Sequence, residues 1–143
     1  MKLDTLLICD HIRQELGGKQ SLMGLYNDVI IFGLSPEGIQ AWPKLMRLGF
    51  FIRLSFNENE EIPEGATFLF SCKRGDDSVQ IAKGQFIVKD QAKLRFANLV
   101  IMANPFVIKG PGEIKFSLLL FDAQNKVFKA FTEAGSIRIE QSV

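Results

Sequence analysis

From Leu45 to Phe56 every even position is apolar, while the odd positions carry Arg47, Gly49, Arg53 and Ser55 together with Leu45 and Phe51. A period of two marks a strand with one face in a core and one in water. The same alternation returns at Glu113-Ile114-Lys115-Phe116-Ser117-Leu118. The pattern predicts an all-β chain of two antiparallel sheets packed face to face, an immunoglobulin-like sandwich, with the even positions Met46–Phe56 and Ile114–Leu120 inward.

Apolar runs separated by turn formers give about eight strands, at Leu3–Cys9, Leu22–Phe32, Leu45–Phe56, Ala66–Cys72, Val79–Val88, Leu94–Ala103, Glu113–Phe121 and a broken Val127–Ile139. Lys73-Arg74-Gly75-Asp76-Asp77 and Asp122-Ala123-Gln124-Asn125 read as turns, and Asn57–Gly65 as a longer polar loop. The apolar phase changes within Val79–Val88 and again after Ala130, so bulges are expected at Gly84 and Gly135. Asp10–Leu16, followed by Gly17-Gly18, reads as one or two helical turns capped by Asp10. Ser35–Pro43 reads as a Pro-bounded linker that carries the only Trp.

With 143 residues the chain fits one domain able to bury a core without staples. No apolar run approaches the roughly 20 residues of a spanning helix. Met1-Lys2-Leu3-Asp4 lacks the look of a secretory leader. A soluble, cytoplasmic protein with Cys9 and Cys72 as free thiols is the expectation. Seventeen Lys and Arg against sixteen Asp and Glu are scattered singly, so no nucleic-acid footprint and no membrane surface is expected as a partner.

The densest reactive cluster is Cys9-Asp10-His11 with Arg13 and Glu15. Its one His must serve any nucleophilic or metal site alone, which argues against both. Gly17-Gly18-Lys19-Gln20-Ser21 lacks the spacing of a phosphate loop. The acids of Asn57–Gly65 with Asp76, Asp77 and Asp122 suggest a calcium-dependent module only if the fold gathers those loops. Arg74-Gly75-Asp76 reads as a turn. No metal or cofactor is assigned.

Two functional readings follow. The first is a non-enzymatic interaction module, a homo-oligomer or the binder of another protein, acting through a strand edge or through Phe51. Phe51 points outward, and with Leu119 and Phe121 it is expected to form an apolar patch. The second is a small ligand-binding protein or enzyme that uses residues 9–15 with Tyr26 and Asp28, where Arg13 would neutralise Asp28. Candidate binding residues are therefore Asp10, His11, Arg13, Tyr26, Asp28 and Phe51.

Cys9-Asp10-His11-Ile12-Arg13, Gly18-Lys19-Gln20-Ser21-Leu22-Met23-Gly24-Leu25-Tyr26 and Pro111-Gly112-Glu113-Ile114-Lys115-Phe116 together resemble a family of short bacterial proteins known only as a domain of unknown function. Ile114 stands where that family carries an aromatic residue. The resemblance implies bacterial origin, cytoplasmic residence and an immunoglobulin-like sandwich, and it supplies no activity and no functional residues.

Overall fold

The computed structural model describes residues 1–33, 42–91 and 94–142. Ten strands follow one another: β1 Lys2–Gln14, β2 Gln20–Tyr26, β3 Val29–Phe32, β4 Lys44–Phe56, β5 Thr67–Arg74, β6 Asp77–Gln85, β7 Lys89–Gln91, β8 Leu94–Ile108, β9 Gly112–Phe121 and β10 Val127–Gln141. They form two five-stranded sheets, ordered β2-β1-β4-β8-β7 and β3-β10-β9-β5-β6. Neighbours are antiparallel except β3, which runs parallel to β10.

The two sheets share one apolar core, placed by the alternation. Leu48, Phe50, Ile52 and Leu54 of the first sheet and Phe116, Leu118 and Leu120 of the second are wholly buried. Phe50 holds the centre, with ring centroids 5.1 Å from Phe70 and 5.2 Å from Phe116, while Phe70 and Phe116 stack at 5.6 Å. No polar or charged residue is buried among the described residues. Burying a polar group without a partner costs several kcal/mol at the upper end, and the wholly buried side chains named above carry no such group.

Several expectations are corrected. The expected strand Leu22–Phe32 is two strands in different sheets, divided at Asn27-Asp28. The polar pair that interrupts the apolar run is the crossing between sheets. Val79–Val88 is likewise not one strand: residues 79–85 belong to β6 in the second sheet, and residues 86–88 lead to β7 in the first. The bulge expected at Gly84 lies at Ile81, since Phe70 pairs with Ala82 and Ser71 with Gln80. Gly84 instead faces Phe68, whose ring would stand 3.2 Å from an added Cβ. The expectation at Gly135 holds: the register of β10 shifts between Phe131 and Gly135. A Cβ on Gly135 would also fall 2.4 Å from Leu6 Cδ2 across the core.

Residues 10–14 are not a helical turn with Asp10 as its cap. They continue β1, because Arg13 and Gln14 find ladder partners in Ser21 and Gln20. Only Leu16–Gly18 forms a 3-10 turn. Gly17 and Gly18, at φ 78° and 75°, supply the left-handed backbone that turns β1 into β2. Of Ser35–Pro43, residues 35–41 lie outside the described residues. Trp42 packs edge-on against Phe32, with centroids 5.6 Å apart.

Candidate interaction face

The outer face of the first sheet is built by the residues that alternate with the core. Leu7, Phe51 and Val100 stand opposite one another on β1, β4 and β8, and the next row joins Leu25, Cys9, Gly49 and Met102 across β2, β1, β4 and β8. Neither row contains a charged residue. Leu7 and Met102 are each 37% exposed, Met23 41% and Leu25 55%. With strands about 4.8 Å apart and same-face residues about 7 Å apart, the two rows cover on the order of 250 Å².

Gly49 is the floor of this face. An added Cβ would meet Ile12 Cγ1 at 3.0 Å, Met102 Sδ at 3.0 Å and Cys9 Sγ at 3.1 Å. Cys9 and Ile12 thus pack over Gly49, and neither belongs to the shared core. Cys9 is fully buried there, and burial pushes its thiol above the usual range, against the lowering effect of a backbone hydrogen bond at His11. Its Sγ lies 3.5 Å from the His11 carbonyl oxygen and 3.7 Å from that of Gly49. Both cysteines are free.

Charges border the rows and are turned aside. Arg53 pairs with Thr5 and Asn98 in the row beyond Phe51, and its guanidinium lies over the Phe96 ring at 4.5 Å. Such stacking favours a cation on an apolar surface by roughly 0.5–1 kcal/mol at exposed sites. On the other border, Arg47 Nε donates to the Asp10 carbonyl at 3.3 Å.

Of the residues singled out from the sequence, Asp10 and Tyr26 are brought together. The Tyr26 hydroxyl donates to Asp10 Oδ1. Gly24, at φ 69°, leaves the room that the Asp10 carboxylate occupies, for a Cβ there would fall 2.3 Å from Oδ2. Burial, then the hydrogen bond and the charge of Asp10, push the Tyr26 phenol up to about 12. His11 is half-buried, and its Nδ1 is shut off from solvent without a hydrogen-bond partner.

Arg13 and Asp28 do not join that cluster. Arg13 Nε donates to Glu15 Oε1 at 2.6 Å, and Ser21 Oγ donates to the same oxygen at 3.0 Å. Asp28 is exposed at the sheet crossing, where its carbonyl accepts from the Arg138 N–H at 2.9 Å. The expected neutralisation of Asp28 by Arg13 is therefore absent, because an exposed carboxylate needs none. Phe51 faces outward as expected. The patch expected of Phe51 with Leu119 and Phe121 is not formed, since those two lie on the other sheet. The outer faces of two sheets that share a core point apart.

Residues 57–60 of the acidic loop close around a side-chain cation. Arg95 Nη1 donates to the carbonyls of Asn57, Glu58 and Glu60 at 3.0, 3.3 and 2.5 Å. Among the described residues, no group of three or more His, Cys, Asp or Glu is placed to hold a metal. Arg74 of the Arg-Gly-Asp triplet is turned to the β8–β9 connection, its Nη2 donating to the Pro111 carbonyl at 2.7 Å. Among the described residues, no helix is long and apolar enough to cross a membrane.

Leu7, Leu25, Gly49, Val100 and Met102 are the members of the face that alternation alone misses. A signal for them exists: Leu6-Leu7-Ile8-Cys9, Gly49-Phe50-Phe51-Ile52 and Leu99-Val100-Ile101-Met102 are apolar in both phases. Strands apolar on both faces are those covered on both faces. No protein-family model matches the chain, and no curated protein matches it.

Proposed function

We propose that the protein is a non-enzymatic interaction module that docks through the outer face of the first sheet, with a second copy of the chain as the partner. The observation that carries this reading is the pair of adjacent rows, Leu7–Phe51–Val100 and Leu25–Cys9–Gly49–Met102, that cross the sheet without a charge. A flat β face receives another flat β face about 10 Å away with interdigitating apolar side chains, and this chain itself supplies such a surface. A standard interface takes about 800 Å² from each partner, so Met23, Arg53 and Phe96 would form the rim around the charge-free centre.

The reading treats the two sheets as an immunoglobulin-like sandwich, supported by the single core on which both converge. It keeps the bacterial, cytoplasmic setting implied by the resemblance, with which two free thiols agree. The test is sedimentation velocity over a concentration series of the wild type and Phe51→Glu. The wild type should shift to a dimer as concentration rises, and the variant should stay monomeric and folded, losing only about 1 kcal/mol of stability with the cross-strand partners of the ring. A wild type that remains monomeric at the highest soluble concentration sinks the self-association reading.

A further inference from the structure

The chain leaves the edge of the first sheet in an unusual way. β7 pairs with β8 only at Leu94, Arg95 and Phe96. Just before it, the chain belongs to the second sheet as β6, with the Phe86 N–H bonded to the Ala66 carbonyl at 2.8 Å. Between β6 and β8 this crossing makes a fork, and among the described residues no strand pairs with residues 97–108 of β8 on that side.

The fork opens into a groove of about 350 Å³, lined by Cys72, Val79, Ile81, Met102, Phe106 and Val107 among others. Val79 pairs with Cys72 in the row that faces the first sheet, yet it is 51% exposed, and Val107 is 48% exposed. The second sheet therefore presents inward-facing apolar residues where the first sheet has no strand to set against them. At the far end Lys109 Nζ lies 3.5 Å from Asp77 Oδ2. With Arg74 that end carries two cations against one lining carboxylate.

We propose that this fork is a docking groove for an extended segment of another polypeptide, with apolar residues at alternate positions and an acid at its N-terminal end. Main-chain groups of the guest pair with the bare edge of β8, antiparallel as β7 does, and every second side chain enters the groove over Val79 and Cys72. In that direction the guest's N-terminal end lies beside Lys109 and Arg74, where its carboxylate meets the excess positive charge. Pro105 offers no N–H and the register of β8 against β4 shifts beside it, which excludes a continuous ladder and limits pairing with arbitrary strands.

The probe is the hexapeptide acetyl-Asp-Val-Thr-Val-Thr-Val-amide, followed by backbone amide exchange and chemical shifts of the full chain. Saturable binding with slowed exchange of β8 amides is expected. Two N-methylated probes, one blocked at the Val amides and one at the Thr amides, should then differ. Only one should lose about tenfold or more in affinity, because alternate amides of a strand point to opposite sides. Val79→Asp, at a half-exposed position, should weaken the parent probe by a similar factor, while Phe51→Glu leaves it unchanged. No saturation at millimolar probe overturns the proposal. So do equal affinities of the two methylated probes, shifts confined to the Phe51 face, or indifference to Val79→Asp.

Discussion

The two sheets present the same inner surface and opposite outer ones. On the first sheet two consecutive rows run across the strands without a charge. On the second, Lys73 stands directly opposite Lys115, Glu113 opposite Arg138 and Lys83 opposite Leu69, and Ser71 and Ser117 share a hydrogen bond at 2.8 Å. Like charges placed directly opposite destabilise a pair of strands unless water screens them. A face that accepts Lys73 beside Lys115 is one that stays wet. The charge-free face of the first sheet has the opposite chemistry, and that contrast locates the interaction surface better than any single exposed residue does.

The contrast can be broken most severely at β4, where neighbouring residues face opposite ways. Phe50→Ala removes the ring at the centre of the core and should cost about 3–5 kcal/mol in denaturant unfolding. Phe51→Ala, which loses its cross-strand partners Leu7 and Val100, should cost about 1 kcal/mol while weakening self-association. Equal costs would mean that the outer face is packed in the monomer and not held for a partner. Next in size is Gly49→Val. Its side chain must displace Ile12, Met102 or Cys9, so a loss of about 1–3 kcal/mol is expected. An unchanged midpoint there would show that the floor of the face is loosely packed.

On the wet face the effects are smaller, and one has the opposite sign. Lys73→Glu sets opposite charges across from each other where like charges stand now, and should raise stability by about 0.2–1 kcal/mol at low salt. The gain should fade as salt is added. A loss instead would show that the two lysines are held apart by something other than water.

What the sequence made legible follows from which contacts are local. Leu48, Phe50, Ile52 and Leu54, and likewise Ile114 to Leu120, declare their inward face because alternation is written into neighbouring letters. Asp10–Gln14 reads as helical from its own letters, because its strand partners, Gln20 to Met23, enter only through the hairpin. Val79–Val88 conceals the fork for a related reason: its change of apolar phase reads equally as a bulge within one strand and as a passage toward the other sheet. The cost of burying a carboxylate argues from sequence for a partner at Asp28, and its exposure at the crossing removes that premise. Phe51 was legible as outward-facing, but its neighbours were not, since Leu119 and Phe121 share its phase without sharing its sheet.

Tyr26, which stands opposite Ile8 and packs against the shared core, gives the finest test of how the first sheet treats polar groups. It is the only Tyr in the chain, so tyrosinate absorbance reports it alone. Burial and the Asp10 carboxylate favour the neutral phenol, and its ionisation midpoint should lie near 12 against an ordinary 10. The sign follows from the direction of the shift: the folded chain holds this proton more tightly than the unfolded one. The contribution to stability is therefore full below pH 10 and is lost as the pH rises through 12. Asp10→Asn removes the charge and changes the hydrogen bond while leaving the burial, so the midpoint should fall part of the way toward 10. A midpoint already near 10 in the wild type would mean that Tyr26 and Asp10 part in solution, and that the core is open to water along β2.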